Sequence, residues 1–417
     1  MKKRNFIAFF FFTYGSAAFW MVENFWINLY WTRNIDSHVF YVGLMVAASA
    51  VVSIFTQIIF GAISDSSKSR FGKRRPFILF GSIAGGISMC FFPLTRFITP
   101  IVFAVTYAVI IDCVLTFFGD ITNPARAALI IEVTDIKERG KINAILGIIG
   151  GLAVAYVVAV SGFLGEFQGP DYVFFMGGIT FMVGGVILFF VIKEPPIEPE
   201  AIEKTWKENL KETFTLESYQ KNKSLYRLLI FQSIIAFAAQ ISNPYLFIYI
   251  ESNFGLDGIT LFIVLGLLVL LGFIIAIPIG IFVDKSGRKK VMLPCIIGWI
   301  IGNMCFIFIP AKNEYTVIFL FLFGAMGYGF GIAAGIATAT WFQDLIPEER
   351  KGSLSAYQVL ATLLPMAPAA ILGGFIADYG WKPEGYIYSP LIFLFGGIIA
   401  LFSLPVLLFI EETLKKK

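Results

Sequence analysis

With a single histidine in 417 residues, the chain is closed to several chemistries. His38 lies between two apolar runs, and one imidazole builds neither a zinc site nor a Ser/His/Asp triad. Cysteine is equally scarce. Cys90, Cys113, Cys295 and Cys305 all fall inside apolar runs at spacings that match no metal-ligand pattern, which argues against a structural disulfide. Charge is the third shortage: 14% of residues are charged, against 58% apolar and 17% aromatic, and no polar stretch is long enough to form a soluble domain. No cofactor or metal site is expected. The net charge of +4 reflects topology rather than a nucleic-acid partner.

What the chain has in abundance is long apolar sequence. A bilayer core of about 30 Å needs ~20 mostly apolar residues per helix. Runs bounded by charge, Gly or Pro place spans near 6–30, 39–63, 76–97, 100–132, 142–165, 171–192, 225–251, 258–283, 290–310, 315–344, 353–377 and 386–410. The expectation is an all-α polytopic membrane protein of 12 helices in two six-helix bundles, a monomer in a lipid bilayer. The first run follows Met1-Lys2-Lys3-Arg4 but contains Glu23 and lacks a small-residue cleavage site, so it reads as a retained helix. Arg33, Arg96, Lys312 and Lys382 fall in the odd-numbered loops and Arg126 falls within the fourth span. The other Lys and Arg lie at the termini and in the even-numbered loops. By the positive-inside rule both termini face the cytoplasm of an inner, plasma membrane.

A break divides the chain into a bundle over 1–192, a linker over 193–224 and a second bundle over 225–417. It opens on Glu194-Pro195-Pro196, too proline-rich to continue a helix. Within it Ile202, Trp206, Leu210 and Phe214 recur among Lys204, Lys207 and Lys211, the pattern of a helix lying on the membrane surface; the plainer alternative is a solvated linker.

Two signals recur at matching places in the halves, the mark of an internal repeat. Gly61 and Asp65 precede Arg70-Phe71-Gly72-Lys73-Arg74-Arg75-Pro76, and Gly280 and Asp284 precede Gly287-Arg288-Lys289-Lys290. After the fourth span comes Glu138-Arg139-Gly140-Lys141, and after the tenth Glu349-Arg350-Lys351-Gly352. Retention of positive charge explains the Lys and Arg but not the paired Gly and Asp. An Asp at a helix end can pair with Arg or a helix N-terminus. A gating set is therefore expected from Gly61, Asp65, Arg70, Gly72, Arg74, Arg75, Glu132, Arg139, Asp284, Arg288 and Arg350.

This arrangement resembles the signature of the major facilitator superfamily, over essentially the whole chain. Gln57-Ile58-Ile59-Phe60-Gly61, the Ser69–Ile78 run and Asn123-Pro124-Ala125-Arg126-Ala127 are similar to the sucrose transporters and the glycoside-pentoside-hexuronide cation symporters. The resemblance implies a secondary active transporter, with proton-coupled symport of a sugar by alternating access. It also has gaps. Where melibiose carriers hold sodium-ligand aspartates this chain has Ser53 and Gln57. Plant sucrose carriers have a histidine in span one, absent here, and an aspartate eleven residues before the arginine matching Arg126, where this chain has Leu115. Sodium is therefore the less favoured coupling ion.

Ionisable groups inside the bilayer are costly and face a partner or a wet cavity. In span four, Asp112, Thr116, Gly119, Asn123 and Arg126 share one helical face, with Asp120 on its flank and Pro124 expected to kink the helix. In span one, Trp20, Glu23, Trp26 and Tyr30 sit at helical spacing, with Asn24, Asn28 and Trp31 adjoining. Glu23 and Asp112 lie at similar depth and can face each other. Asp120, Asp112 and Glu23 are the candidate proton carriers, since a carboxylate out of water holds a proton more readily. The candidate substrate contacts are Glu23, Trp20, Trp26, Asn24, Gln57, Asp112, Asn123 and Arg126, with Gln240, Asn243, Tyr328 and Gln358 as neutral contacts from the second half. The plainer readings are an interfacial aromatic belt for Trp26, Tyr30 and Trp31, and neutralisation of Asp120 by Arg126 across the kink. Proton-coupled efflux of a drug or metabolite is the competing transporter function; a non-transporting sensor or a membrane enzyme fits the short tails and missing nucleophile less well.

Overall fold

Long apolar stretches cannot leave backbone N–H and C=O groups unpaired in a bilayer, so they close their hydrogen bonds within helices. The computed structural model describes residues 3–134, 139–194, 223–256, 258–345 and 351–413. Among these, twelve helices are long and apolar enough to cross a membrane: α1 Lys3–Asn34, α2 Phe40–Asp65, α3 Arg75–Phe97, α4 Ile101–Val133, α5 Ile145–Gly165, α6 Tyr172–Val191, α7 Lys223–Phe254, α8 Gly258–Ala276, α9 Arg288–Phe308, α10 Thr316–Leu345, α11 Tyr357–Tyr379 and α12 Leu391–Leu408. Each matches an expected span to within a few residues. The expected surface helix with Ile202, Trp206, Leu210 and Phe214 lies outside the described residues.

The helices form two units, Met1–Ser37 with Ala48–Thr213, and His38–Ala47 with Phe214–Lys417. In the first, α1 packs on α5 and α6, and α3 on α4 and α6. In the second, α7 packs on α11 and α12, and α9 on α10 and α12. The repeat seen in the loop motifs is thus also a repeat of helix pairings. Its close contacts rest on small residues, as expected where apolar faces gain nothing from leaving lipid. A Cβ on Gly86 of α3 would lie 2.5 Å from the Gly178 carbonyl of α6, and one on Gly302 of α9 would lie 2.4 Å from the Gly327 nitrogen of α10.

Helix geometry is irregular at several points, and in α1 and α7 the irregular turns hold residues marked as polar candidates by the sequence. Val22–Trp26 of α1 and Leu320–Gly324 of α10 are π-turns, while α7 tightens to a 3₁₀ turn at Asn243–Tyr245, beside Pro244. A π-turn inserts one residue into a helix and is common at functional sites. By contrast α4 runs unbroken through Pro124. The polar ends are tied internally. Tyr30 donates to Asp171 (3.0 Å), which also pairs with Arg96 (2.8 Å). In the second unit the fully buried Asn253 donates to the Tyr388 carbonyl (3.0 Å) and accepts from the Ile387 and Tyr388 N–H groups. The N–H groups of Val39 and Phe40, which open α2 and group with the second unit, donate to Asp378.

Candidate functional site

Three acids of the first unit lie within membrane helices, Glu23 on α1 and Asp112 and Asp120 on α4. Asp112 and Asp120, about two turns apart on α4, are 3% and 2% exposed. Glu23 sits in the π-turn of α1, within electrostatic reach of both. Asp112 is held by Ser49 of α2. Asp120 Oδ1 accepts from Asn123 (2.6 Å) and from Gln57 (3.1 Å), whose amide also donates to Ser53 (3.0 Å); Asp120 Oδ2 is enclosed with no partner among the described residues. Thr116, one turn from each aspartate, likewise has an enclosed hydroxyl without a partner. No Lys or Arg pairs with any of the three acids among the described residues. Nor do any three His, Cys, Asp or Glu side chains there gather closely enough to hold a metal ion.

Gly119 is the small residue that lets α1 approach this face: a Cβ there would lie 2.8 Å from the Phe19 ring and 3.2 Å from Trp20. Gly119→Ala is expected to destabilise the protein by about 1–3 kcal/mol through overpacking, read as a lower unfolding temperature in detergent, with Gly147→Ala, where a Cβ meets nothing within 4 Å, as the neutral comparison.

The π-turn changes the face assignment for α1. The insertion breaks the common stripe expected for Trp20, Glu23, Trp26 and Tyr30. Glu23 turns toward the aspartates, whereas Trp26 donates to the Pro170 carbonyl (3.3 Å) and Tyr30 bonds Asp171. The aromatic-belt reading fails on burial: Tyr30 and Trp31 are fully enclosed in protein and Trp26 is 4% exposed. Asn24 is exposed and bonds the Trp20 carbonyl (2.8 Å). Arg126 does not neutralise Asp120. It makes no hydrogen bond or ion pair among the described residues, and its Nε is enclosed without a partner.

The second unit holds a cavity of about 510 Å³ between α7, α8, α9, α10, α11 and α12, within the size range of small-molecule sites. Asn243, Tyr328 and Gln358 line it, as expected for neutral contacts; Gln240 is buried elsewhere. Gln232, Trp299 and Asn303 line it too, and the Gln232 carbonyl oxygen is enclosed and unpartnered. Trp299 and Asn303 were not singled out because α9 reads as a plain apolar span; their i, i+4 spacing was the available signal. No charged side chain among the described residues lines this cavity.

The basic ends of α3 and α9 are built alike. Arg74, 4% exposed, pairs with Asp65 (2.5 Å) and Glu132 (3.0 Å) and donates to Ser64 (2.7 Å). Arg288 pairs with Asp344 (3.0 Å). The carboxylate of Glu194 accepts from the N–H groups of Lys73 (2.6 Å), Arg74 (3.2 Å) and Arg75 (2.7 Å), and lies 3.5 Å from the Arg75 guanidinium. Glu412 does the same for Arg288 (3.0 Å) and Lys289 (2.9 Å). Gly72 and Gly287 adopt positive φ, 113° and 102°, and a Cβ on either would lie 2.7 Å from the capping carboxylate. Only glycine meets both demands. Gly61 packs near Pro124 and Arg70 lies over the Phe71 ring. The side chains of Arg139 and Asp284, and Arg350 as a whole, lie outside the described residues. Glu194 and Glu412 were not anticipated, although each follows the last helix of its half, an equivalence the repeat already contained.

Comparison with known proteins agrees with this architecture. The Major Facilitator Superfamily pattern matches residues 6–280 and 228–417. An uncharacterized symporter of Bacillus subtilis, YnaJ, is 25% identical over 380 residues, covering 83% of this chain and 77% of its own. Among solved structures, a D-xylose-proton symporter superposes with a TM-score of 0.70 at 17% identity, over 99% of this chain and 98% of its own. The nucleoside transporter NupG superposes with a TM-score of 0.66 at 15% identity, over 98% of each chain. At such identities these structures are alike in fold. With twelve apolar helices in two repeated units and a family pattern spanning both, the chain belongs to the Major Facilitator Superfamily of membrane transporters.

Proposed function

We propose that the chain is a proton-coupled symporter of a small hydroxylated solute, a sugar or sugar derivative, working by alternating access in the plasma membrane with both termini cytoplasmic. The observation that carries this reading is the cluster of Glu23, Asp112 and Asp120, which no basic side chain neutralises among the described residues. Acids retained inside a membrane without a cationic partner mark ion pathways, and a proton held among them relieves their mutual repulsion. Asp120 is the preferred carrier, because one oxygen is fixed by two amides while the other is left over for the proton. The uncharged cavity of the second unit suits neutral groups of the solute, with Asn243, Tyr328 and Gln358 as hydrogen-bonding contacts and Trp299 as an apolar face. The Arg74 and Arg288 clusters hold the ends of α3 and α9 and serve as the gating elements. The naming of YnaJ as a symporter and the fold shared with a D-xylose-proton symporter support this reading.

The apolar walls of the cavity also favour a second reading, proton-coupled efflux of a hydrophobic solute. Uptake of labelled sugars into proteoliposomes under imposed proton or sodium gradients separates the two. Symport predicts accumulation with the proton gradient and none with sodium alone. Expulsion of solute against an inward proton gradient replaces symport with antiport, and sugar fluxes indifferent to both gradients end the coupling assignment.

A further inference from the structure

The cavity of the second unit contains a polar atom that the protein leaves unmatched. Gln232 of α7 is 8% exposed and lines the cavity, and its Oε1 is enclosed with no hydrogen-bond partner among the described residues. A buried carbonyl oxygen without a donor is costly, and a ligand that brings an N–H or O–H removes that cost. An aromatic face and an open stretch of backbone lie at the same depth. The starts of α7 and α9 and the end of α10 are tied together: Arg288 pairs with Asp344 (3.0 Å), and Ser224 accepts from the N–H of Glu411, beside the Glu412 that caps α9. Counted from those ends, Gln232, Trp299 and Gly335 are 9, 11 and 10 residues in, about 14, 17 and 15 Å at 1.5 Å per residue. A Cβ on Gly331 of α10 would lie 2.9 Å from the Trp299 ring, so ring and backbone touch there. One turn on, a Cβ on Gly335 meets nothing within 4 Å, and Gly335 lines the cavity. The contact that closes the space at Gly331 thus opens toward Gly335 into a slot.

Such a slot selects for flat groups. The indole and the bare backbone suit the faces of a planar ring, while Gln232 Oε1 accepts a hydrogen bond at its edge; side-chain amides read the edges of heterocyclic bases in this way. A pyranose fits this layer less well. Its hydroxyls project all round the ring, and the neighbouring Ile235, Ala236 and Ile296 offer them no partner. The ring is uncharged, since no charged side chain among the described residues lines the cavity and an ion buried there would go unpaired. A hydroxylated part of the solute then falls to Asn243, Asn303 and Tyr328, which line the cavity 20, 15 and 17 residues from the same helix ends.

We infer that the transported solute carries an uncharged heteroaromatic ring with an N–H donor on a hydroxylated moiety, the chemistry of a nucleoside, and that Gln232 accepts from that N–H while Gly335 leaves room for the ring. This inference rests on the symporter reading above and narrows its substrate class.

The test uses the full-length protein, purified for thermal-shift binding and reconstituted into proteoliposomes for uptake. The probes are uridine and inosine, their counterparts 3-methyluridine and 1-methylinosine, which lack the ring N–H, and D-ribose, D-glucose and phenyl β-D-glucoside. At least one of the two nucleosides should raise the unfolding temperature and accumulate under a pH gradient; the sugars and the phenyl glucoside should do neither. Methylation of the ring nitrogen should weaken binding about tenfold. Gln232→Leu should bind the nucleoside and its methylated counterpart alike, and without ligand it should unfold at or above the wild-type temperature, because Oε1 has no bond to lose. Gly335→Leu should fill the slot and remove protection by either nucleoside, and Gly335→Ala should weaken it by less. The unliganded unfolding temperature of each variant separates a binding loss from a folding defect. Equal protection by a nucleoside and its methylated form, or by phenyl β-D-glucoside, overturns the inference. Accumulation of glucose or ribose, without either nucleoside, overturns it while leaving proton symport standing. If no solute moves under any gradient, the symporter reading fails, and binding then decides this one: nucleoside protection that ring methylation weakens sustains it, and absence of that protection overturns it.

Discussion

Asp120→Asn is expected to abolish proton-driven accumulation while leaving solute exchange intact. The substitution is close to a permanently protonated Asp120. An amide at this position keeps an oxygen acceptor for Gln57 and Asn123, so the contacts of Oδ1 (3.1 and 2.6 Å) survive, and it places an uncharged NH₂ where the proton would sit. The scaffold therefore holds and only the titration is lost. Each coupled proton sustains about a tenfold solute ratio per pH unit. The wild-type protein in proteoliposomes should climb by that factor with each added unit, and the variant should stop at equal concentrations on both sides. Counterflow of labelled against unlabelled solute should persist, because it needs no net proton movement. Asp112→Asn and Glu23→Gln test whether those two acids belong to the same proton pathway. A gradient response that survives in all three variants removes the carboxylate cluster from the mechanism.

The second large effect concerns stability rather than coupling. The Glu194 side chain is 4% exposed, satisfies three backbone N–H groups at the start of α3 and neighbours the Arg75 guanidinium. Glu194→Ala leaves those donors without an acceptor, and hydrogen bonds to a charged partner contribute more than neutral ones. The expected loss is about 3 kcal/mol, measured by SDS or thermal unfolding in detergent. Glu412→Ala should cost somewhat less, since Glu412 serves two N–H groups in the equivalent position. Glu194→Gln should fall between wild type and Ala, because an amide oxygen still accepts. A Glu194→Ala protein as stable as wild type would reduce the carboxylate to a surface charge.

What was legible in the sequence follows from which physical signals are local. Span positions are read from runs of apolar residues, and all twelve stand in the structure close to where hydropathy places them. The acids of α4 were legible for the same reason: Asp112 and Asp120 are charges inside an apolar run, and buried charge announces itself without knowledge of the neighbours. The failure of Arg126 to reach Asp120 was also visible, as an i, i+6 separation. The π-turn was not. No Pro or Gly marks Val22–Trp26, and the inserted residue depends on what α1 packs against, so a helical wheel drawn at constant pitch misassigned Trp26 and Tyr30. The capping role of Glu194 was hidden because an acid just beyond a membrane helix looks like any interfacial charge; its partners lie on α3, more than a hundred residues earlier. Trp299 and Asn303 escaped notice because they line a cavity that exists only once six helices have assembled.

The two capping glutamates also bear on how such a chain is made. The N–H groups that open α3 meet their acceptor only when Glu194 arrives, 119 to 121 residues later, and those of α9 wait 123 to 124 residues for Glu412. During synthesis, which proceeds from the N-terminus, each unit therefore carries an unfinished helix start until its final membrane segment has entered the bilayer. The glutamate that follows the last membrane helix of each half acts as its closing fastener, so a nascent chain halted before residue 194 retains its first helices but lacks the contact that completes the third.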